Sequence, residues 1–130
     1  MLSEQGQYER AITYYDSALE LNPINVGALT MKGADLIKLG KTTEAIEYYD
    51  KTLDMDPNNV AGLIGKGNIL YILGNHTEAD EYIEKALIID PNNIYALIFK
   101  GDILLALGNH TGAEIYYDRA RAIGPNKHFH

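Results

Sequence analysis

Apolar and polar positions along the chain follow a helical rhythm rather than a strand alternation. From Val26 onward, Leu29, Gly33, Leu36 and Leu39 recur at spacings of three and four, as one buried face of an α-helix requires. The rhythm stops at Gly40, a residue suited to the left-handed conformation that closes a helix. In a second run Ala45, Tyr49 and Thr52 mark the buried face, and Thr43 is placed to cap the first turn. This run stops before Asp56-Pro57-Asn58-Asn59, because proline disfavours helix in the residue ahead of it and asparagine suits turns. The pattern predicts two helices joined by a glycine turn.

That unit recurs with a period of 34 residues. Pro23, Pro57, Pro91 and Pro125 keep the step, as do Gly6, Gly40, Gly74 and Gly108, and Ala11, Ala45, Ala79 and Ala113. Three whole units at 26–59, 60–93 and 94–127 follow a half unit at 1–25, and a tail occupies 128–130, so that 1–130 reads as one domain. Thr77 and Thr111 take the place of Thr43 in the later units. Gly33, Gly67 and Gly101 are expected to face the alanines, where only small side chains allow two helix backbones to approach. Tyr15, Tyr49, Ile83 and Tyr117 then fill the space between successive hairpins, each contributing about 1.5 to 3 kcal/mol when buried.

These columns resemble the tetratricopeptide repeat, in Leu29-x2-Lys32-Gly33-x2-Leu36, Ala45-x3-Tyr49 and Pro57 and their equivalents over nearly the entire chain. The resemblance implies an all-α fold, a right-handed solenoid of antiparallel helix pairs of about three and a half repeats, with a concave groove that binds peptides or protein segments. It also implies a noncatalytic role. One place departs in every whole unit: Lys32, Lys66 and Lys100 stand where the family has an apolar residue. Their expected behaviour is to lay the methylene stem on the core and carry the amine to water, with a basic ligand-binding ladder as the alternative. The family's carboxylate clamp for acidic chaperone tails is not expected, since its places fall on Thr30 with Ala34, on Gly65, and on Tyr95 with Phe99.

On each first helix a second stripe lies about 120 degrees from the buried one and should face the groove. It comprises Thr30, Ala34, Ile37 and Lys38 in the first whole unit, and Ile64, Asn68, Tyr71 and Ile72 in the next. Tyr95, Ile98, Asp102 and Leu105 form it in the last, with Met31 and Phe99 on the flank. Mostly apolar, it suits an apolar or amphipathic protein segment, with Asn68 and Asp102 holding backbone polar groups and Tyr71, Tyr95 and Phe99 as anchors. The runner-up function is a self-assembling module whose open repeat ends pair with other copies, making a homo-oligomer.

Charge narrows the partners. Eighteen acidic against eleven basic residues give a net charge of -7, with no basic cluster, so neither nucleic acid nor membrane is an expected partner. The absence of cysteine excludes disulfides and thiolate chemistry, and a cytoplasmic location is the expectation. No cofactor and no metal site is expected. His76 and His110 read as turn residues copied by duplication, and the tail His128 and His130 as a weak metal scavenger at most. Asn75-His76-Thr77 and Asn109-His110-Thr111 fit the N-glycosylation pattern but are read as turn and cap residues. Glu47 with Lys51 and Glu81 with Lys85 have the spacing of surface ion pairs, and no carboxylates converge as acid–base catalysis would need.

Overall fold

A computed structural model of the protein describes residues 4–124. They form seven helices: α1 (Glu4–Leu21), α2 (Val26–Lys38), α3 (Thr42–Met55), α4 (Val60–Ile72), α5 (His76–Ile89), α6 (Ile94–Ala106) and α7 (His110–Ile123). No strand occurs among the described residues. Antiparallel pairs α2/α3, α4/α5 and α6/α7 stack in sequence order, and α1 stands as the second helix of a preceding half unit. Pro125 and the tail that carries His128 and His130 lie outside the described residues. Among the described residues no helix is long and apolar enough to cross a membrane.

Glycine makes the tight turn inside each hairpin. Gly40, Gly74 and Gly108 have φ of +79°, +87° and +87°, which a side chain would strain. The Lys41 amide there donates to the Leu36 carbonyl at 2.8 Å, closing α2 in the manner of a helix C-terminal motif. Capping differs from the sequence expectation. Thr43, Thr77 and Thr111 lie within the first turns of α3, α5 and α7, whose N-caps are Lys41, Asn75 and Asn109. Side-chain caps open α2, α4 and α6, where Asn25, Asn59 and Asn93 accept from the amides of Ala28, Gly62 and Ala96, and also α7, where Asn109 accepts from the Gly112 amide. An asparagine two residues after Pro23, Pro57 and Pro91 therefore both ends the turn and opens the next helix.

The core is built on glycine–ring contacts. Gly33 packs on the ring of Tyr49, Gly67 on Ile83 and Gly101 on Tyr117, so the glycines meet the bulky column more directly than the alanines. A Cβ at Gly101 would stand 2.6 Å from the Tyr117 ring, an overlap that only a shift of the ring or of the helices relieves. Ala45, Ala79 and Ala113 are fully buried at the same crossings.

The three lysines correct the expectation most. Lys32 and Lys100 are buried, and the amines go to carboxylates of the preceding second helix rather than to water. Lys32 pairs with Asp16, Lys66 with Asp50, and Lys100 with Asp80 and Glu84 at 2.7 and 2.8 Å. Lys32 also donates to the Tyr48 hydroxyl at 2.8 Å. Burial alone would lower the Lys32 pKa, but hydrogen bonds to Asp16 and Tyr48 outweigh it and the pKa rises. Lys100 behaves in the same way with its two acids. The lysines thus form a ladder between repeats, not a ligand surface. Asp50 and Glu84 are among its acceptors, and Lys51 lies 5.0 Å over the Tyr48 ring.

One position breaks the apolar pattern from inside. Asp35 is buried at a place where α4 and α6 carry fully buried Ile69 and Ile103. Burial pushes its pKa above the ordinary 3.8, and the nearby Lys38 only partly opposes this. The folded state therefore holds a proton more tightly than the unfolded chain. Stability falls as pH rises from that ordinary value through the raised one, and the full cost applies at neutral pH. Asp35→Ile should raise unfolding free energy at pH 7 by about 1 to 3 kcal/mol, with a smaller gain at pH 3. Urea titrations at the two pH values check this, and a gain independent of pH would contradict it.

Candidate functional site

The repeat places the first helices α2, α4 and α6 side by side, and their common face encloses an open cleft of about 560 Å³. Thr30, Met31, Ala34, Ile37 and Lys38 line it from α2, Ile64 and Asn68 from α4, and Tyr95 and Phe99 from α6. The remaining stripe residues lie elsewhere. Tyr71 is half-buried, with its ring 5.3 Å from that of His76. Asp102 accepts a hydrogen bond from the Tyr117 hydroxyl, and Ile98 lines a separate cleft against α7. Ile72 and Leu105 are exposed beyond the cleft, toward the glycine turns.

The lining that the stripe did not anticipate explains the shape of the cleft. Tyr49, Val60, Ala61, Gly65, Asp90 and Asn93 complete it. Met31, Gly65 and Phe99 occupy one repeat column, so the middle helix lacks the side chain that its two neighbours place on the wall. The cause lies behind the wall. The Tyr49 ring occupies the space that a Gly65 Cβ would enter, deep inside its van der Waals envelope. One repeat later the balance is reversed: the smaller Ile83 stands behind and Phe99 packs against the cluster that contains it. Tyr49 with Gly65 therefore makes a dent between Met31 and Phe99. A glycine in a column otherwise holding large residues is the sequence signal that could have located it.

The polar groups at the cleft are few and mostly engaged. Thr30 donates to the Val26 carbonyl at 2.7 Å and lies 3.1 Å from the Thr52 hydroxyl. Asn93 caps α6, and its amide also donates to Asp90 at 3.2 Å. Lys38 sits 5.2 Å above the Tyr8 ring, an arrangement that holds the cation at the rim beside α1. Burial pushes the Tyr49 phenol up to about 12, with a further push from Asp35, so it stays neutral across the physiological range. Burial and the bond to Asp102 raise Tyr117 likewise, to about 12. Tyr95, by contrast, is 69% exposed and free to meet a ligand.

Sequence comparison agrees with this architecture. Profiles of the tetratricopeptide repeat match residues 1–25, 30–94 and 70–130. The chain belongs to the tetratricopeptide repeat (TPR) family. No curated protein matches it at a significant level. Among solved structures, a thermophilic TPR protein of Thermus thermophilus is 22% identical, with a TM-score of 0.85 over 92% of this chain and 67% of that one. A double mutant of MamA from RS-1 is 22% identical, with a TM-score of 0.77 over 96% and 70%. YrrB, described as a TPR protein with an unusual peptide-binding site, is 25% identical, with a TM-score of 0.76 over 86% of this chain and 58% of that one. The TPR fold supports a scaffold that binds a peptide or protein. TPR proteins are typically noncatalytic, and among the described residues no cluster of three or more His, Cys, Asp or Glu gathers as a metal site would.

The dent rests on a volume exchange, which makes a specific expectation. Gly65→Phe alone should overpack Tyr49 and cost about 1 to 3 kcal/mol. Adding Tyr49→Ile recreates the Ile83 and Phe99 pairing and should recover more than half of the loss in urea unfolding. Additive costs in the double variant would contradict the exchange.

Proposed function

We propose that this TPR chain is a noncatalytic scaffold that holds a protein segment in its concave cleft through one bulky apolar side chain seated in the dent at Gly65. The observation that carries the reading is the missing side chain at Gly65, between Met31 and Phe99 and floored by the Tyr49 ring. An apolar wall with one recess favours an anchor residue, because binding energy concentrates where a large side chain is fully desolvated. Exposed Tyr95 and half-buried Phe99 flank the recess and add aromatic surface. Asn68 stands at the same wall to meet a backbone amide, whereas Asp102, held by Tyr117, and Tyr71, turned to His76, are not part of this cleft. Lys38 and Asp90, also on the lining, give the cleft charges of both signs, which suits an amphipathic segment. YrrB, similar in fold and described as having an unusual peptide-binding site, is in keeping with a peptide ligand.

Selection of random twelve-residue peptides on the immobilised chain tests the proposal. Enriched peptides should share a Leu, Phe, Trp or Met, and replacing it with alanine should abolish binding. Ala61→Trp, a change at an exposed residue on the lining, should weaken a selected peptide by roughly tenfold or more with the helical circular dichroism unchanged. An unaltered affinity would refute the cleft as the binding place.

A further inference from the structure

The whole repeats differ in one polar contact between their two helices. In the last, the Tyr117 hydroxyl on α7 donates to Asp102 on α6. The column of Asp102 holds Ala34 and Asn68 in the earlier repeats, and the column of Tyr117 holds Tyr49 and Ile83. Ile83 brings no hydroxyl, so the middle repeat has no such contact to make. The first repeat has the hydroxyl without the acid. Its Tyr49 ring lies against Gly33 as the Tyr117 ring lies against Gly101, which aims the Tyr49 hydroxyl at Ala34. A methyl group stands there in place of the carboxylate, and both Tyr49 and Ala34 line the concave cleft. Burial and Asp35 push the Tyr49 phenol up to about 12, so it keeps its proton and is a donor at neutral pH. The neighbouring charge is exchanged as well. One turn beyond Ala34 the lining carries exposed Lys38, whereas one turn beyond Asp102 stands Ala106. Asp35 is buried and does not line the cleft.

We infer that the concave cleft selects a protein segment with an aspartate or glutamate beside its apolar anchor, whose carboxylate takes at Ala34 the place that Asp102 fills in the last repeat. The inference rests on the cleft being the binding place. An occupant that covers the Tyr49 hydroxyl without offering an acceptor leaves a buried donor unpaired, which costs more than an ordinary hydrogen bond returns. A neutral acceptor would satisfy the hydroxyl but leave Lys38 without a counter-charge. A carboxylate does both, and a hydrogen bond to an ionised acceptor is about twice as strong as one to a neutral group. Lys38, steadied over the Tyr8 ring, is one helical turn from Ala34 and on the same face. Asp90 does not oppose this placement. Lys38 ends α2 whereas Asp90 precedes α6, so the two charges sit at opposite ends of the stacked first helices. The same separation orients the segment, with its acid toward the glycine turns. The dent at Gly65 then selects the size of the anchor, and Tyr49 with Ala34 selects the charge beside it.

The probes are peptides recovered from a random library on the full chain, resynthesised with amidated C-termini and titrated by fluorescence anisotropy. Enriched peptides should carry an acid close to the shared apolar anchor, and exchanging that acid for its amide should weaken binding about tenfold. Tyr49→Phe, which keeps the ring and the dent, should bring the acid and amide versions to within about threefold of each other. Ala34→Asp supplies the carboxylate from the chain itself, as Asp102 does, and should reverse the preference so that the amide version binds more tightly. Circular dichroism verifies the fold of both variants. Peptides that Ala61→Trp weakens but whose acid and amide versions bind the unaltered chain equally would overturn this inference and leave the cleft reading standing. An acid preference that either Tyr49→Phe or Ala34→Asp leaves unchanged would put the carboxylate at another place and overturn it as well. Peptides indifferent to Ala61→Trp, or no enrichment at all, would overturn the cleft reading and the inference together.

Discussion

Successive repeats are held in register by pairs of side chains sixteen residues apart, one on a second helix and one on the following first helix. One column is steric and sets a ring or branched chain against whatever the next helix leaves room for, as Tyr49 against Gly65. The adjacent column is electrostatic and sets an acid against a lysine, as Asp50 against Lys66. Neighbouring positions on the same helices carry both, so packing and charge select the same alignment. A buried lysine needs its partner, and a shifted register would leave the ammonium desolvated and alone. The acids remain half exposed, which keeps each pair's net contribution modest and makes specificity of stacking its main effect.

The steric column links the core to the cleft. The junction must be filled, but the side chain that fills it can come from either helix. When Tyr49 fills it from behind, Gly65 leaves the concave wall indented; when Phe99 helps to fill it from the front, Ile83 suffices behind. A recess for a ligand therefore arises from the ordinary requirement of dense packing. It needs no strained backbone at the site, since among the described residues positive φ is confined to the hairpin glycines.

Much of the fold is legible from periodicity, because a repeat forces each position to solve the same packing problem three times. Leu29, Leu36, Ala45 and Tyr49 are readable as core for that reason, and Gly40 as a turn. The lysine ladder is not, since an isolated lysine at a core position gives no sign of where its amine ends. Its acid lies on another helix, and only the constant spacing of sixteen discloses it. The threonines mislead for a local reason: Thr43 looks like a cap, but side-chain capping falls to asparagines, Asn25, Asn59 and Asn93 at the starts of the first helices and Asn109 at the start of α7. The groove stripe is half legible. Helical angles place Thr30, Ile64 and Tyr95 on the cleft, but they cannot show that Asp102 is held by Tyr117 or that Tyr71 turns to His76. The dent escapes because it is an absence, visible only when Met31, Gly65 and Phe99 are compared with the column behind them.

The direct measurement is the position of the Tyr49 ring in solution. Nuclear Overhauser contacts from a chain selectively labelled at tyrosine, glycine and methionine would report it. Strong contacts from the Tyr49 ring protons to the α-protons of Gly65 and Gly33 are expected. Contacts instead from Tyr49 to Tyr95 across the cleft, with none to Gly65, would mean that the ring fills the recess from within, and the link between packing and ligand site would be broken.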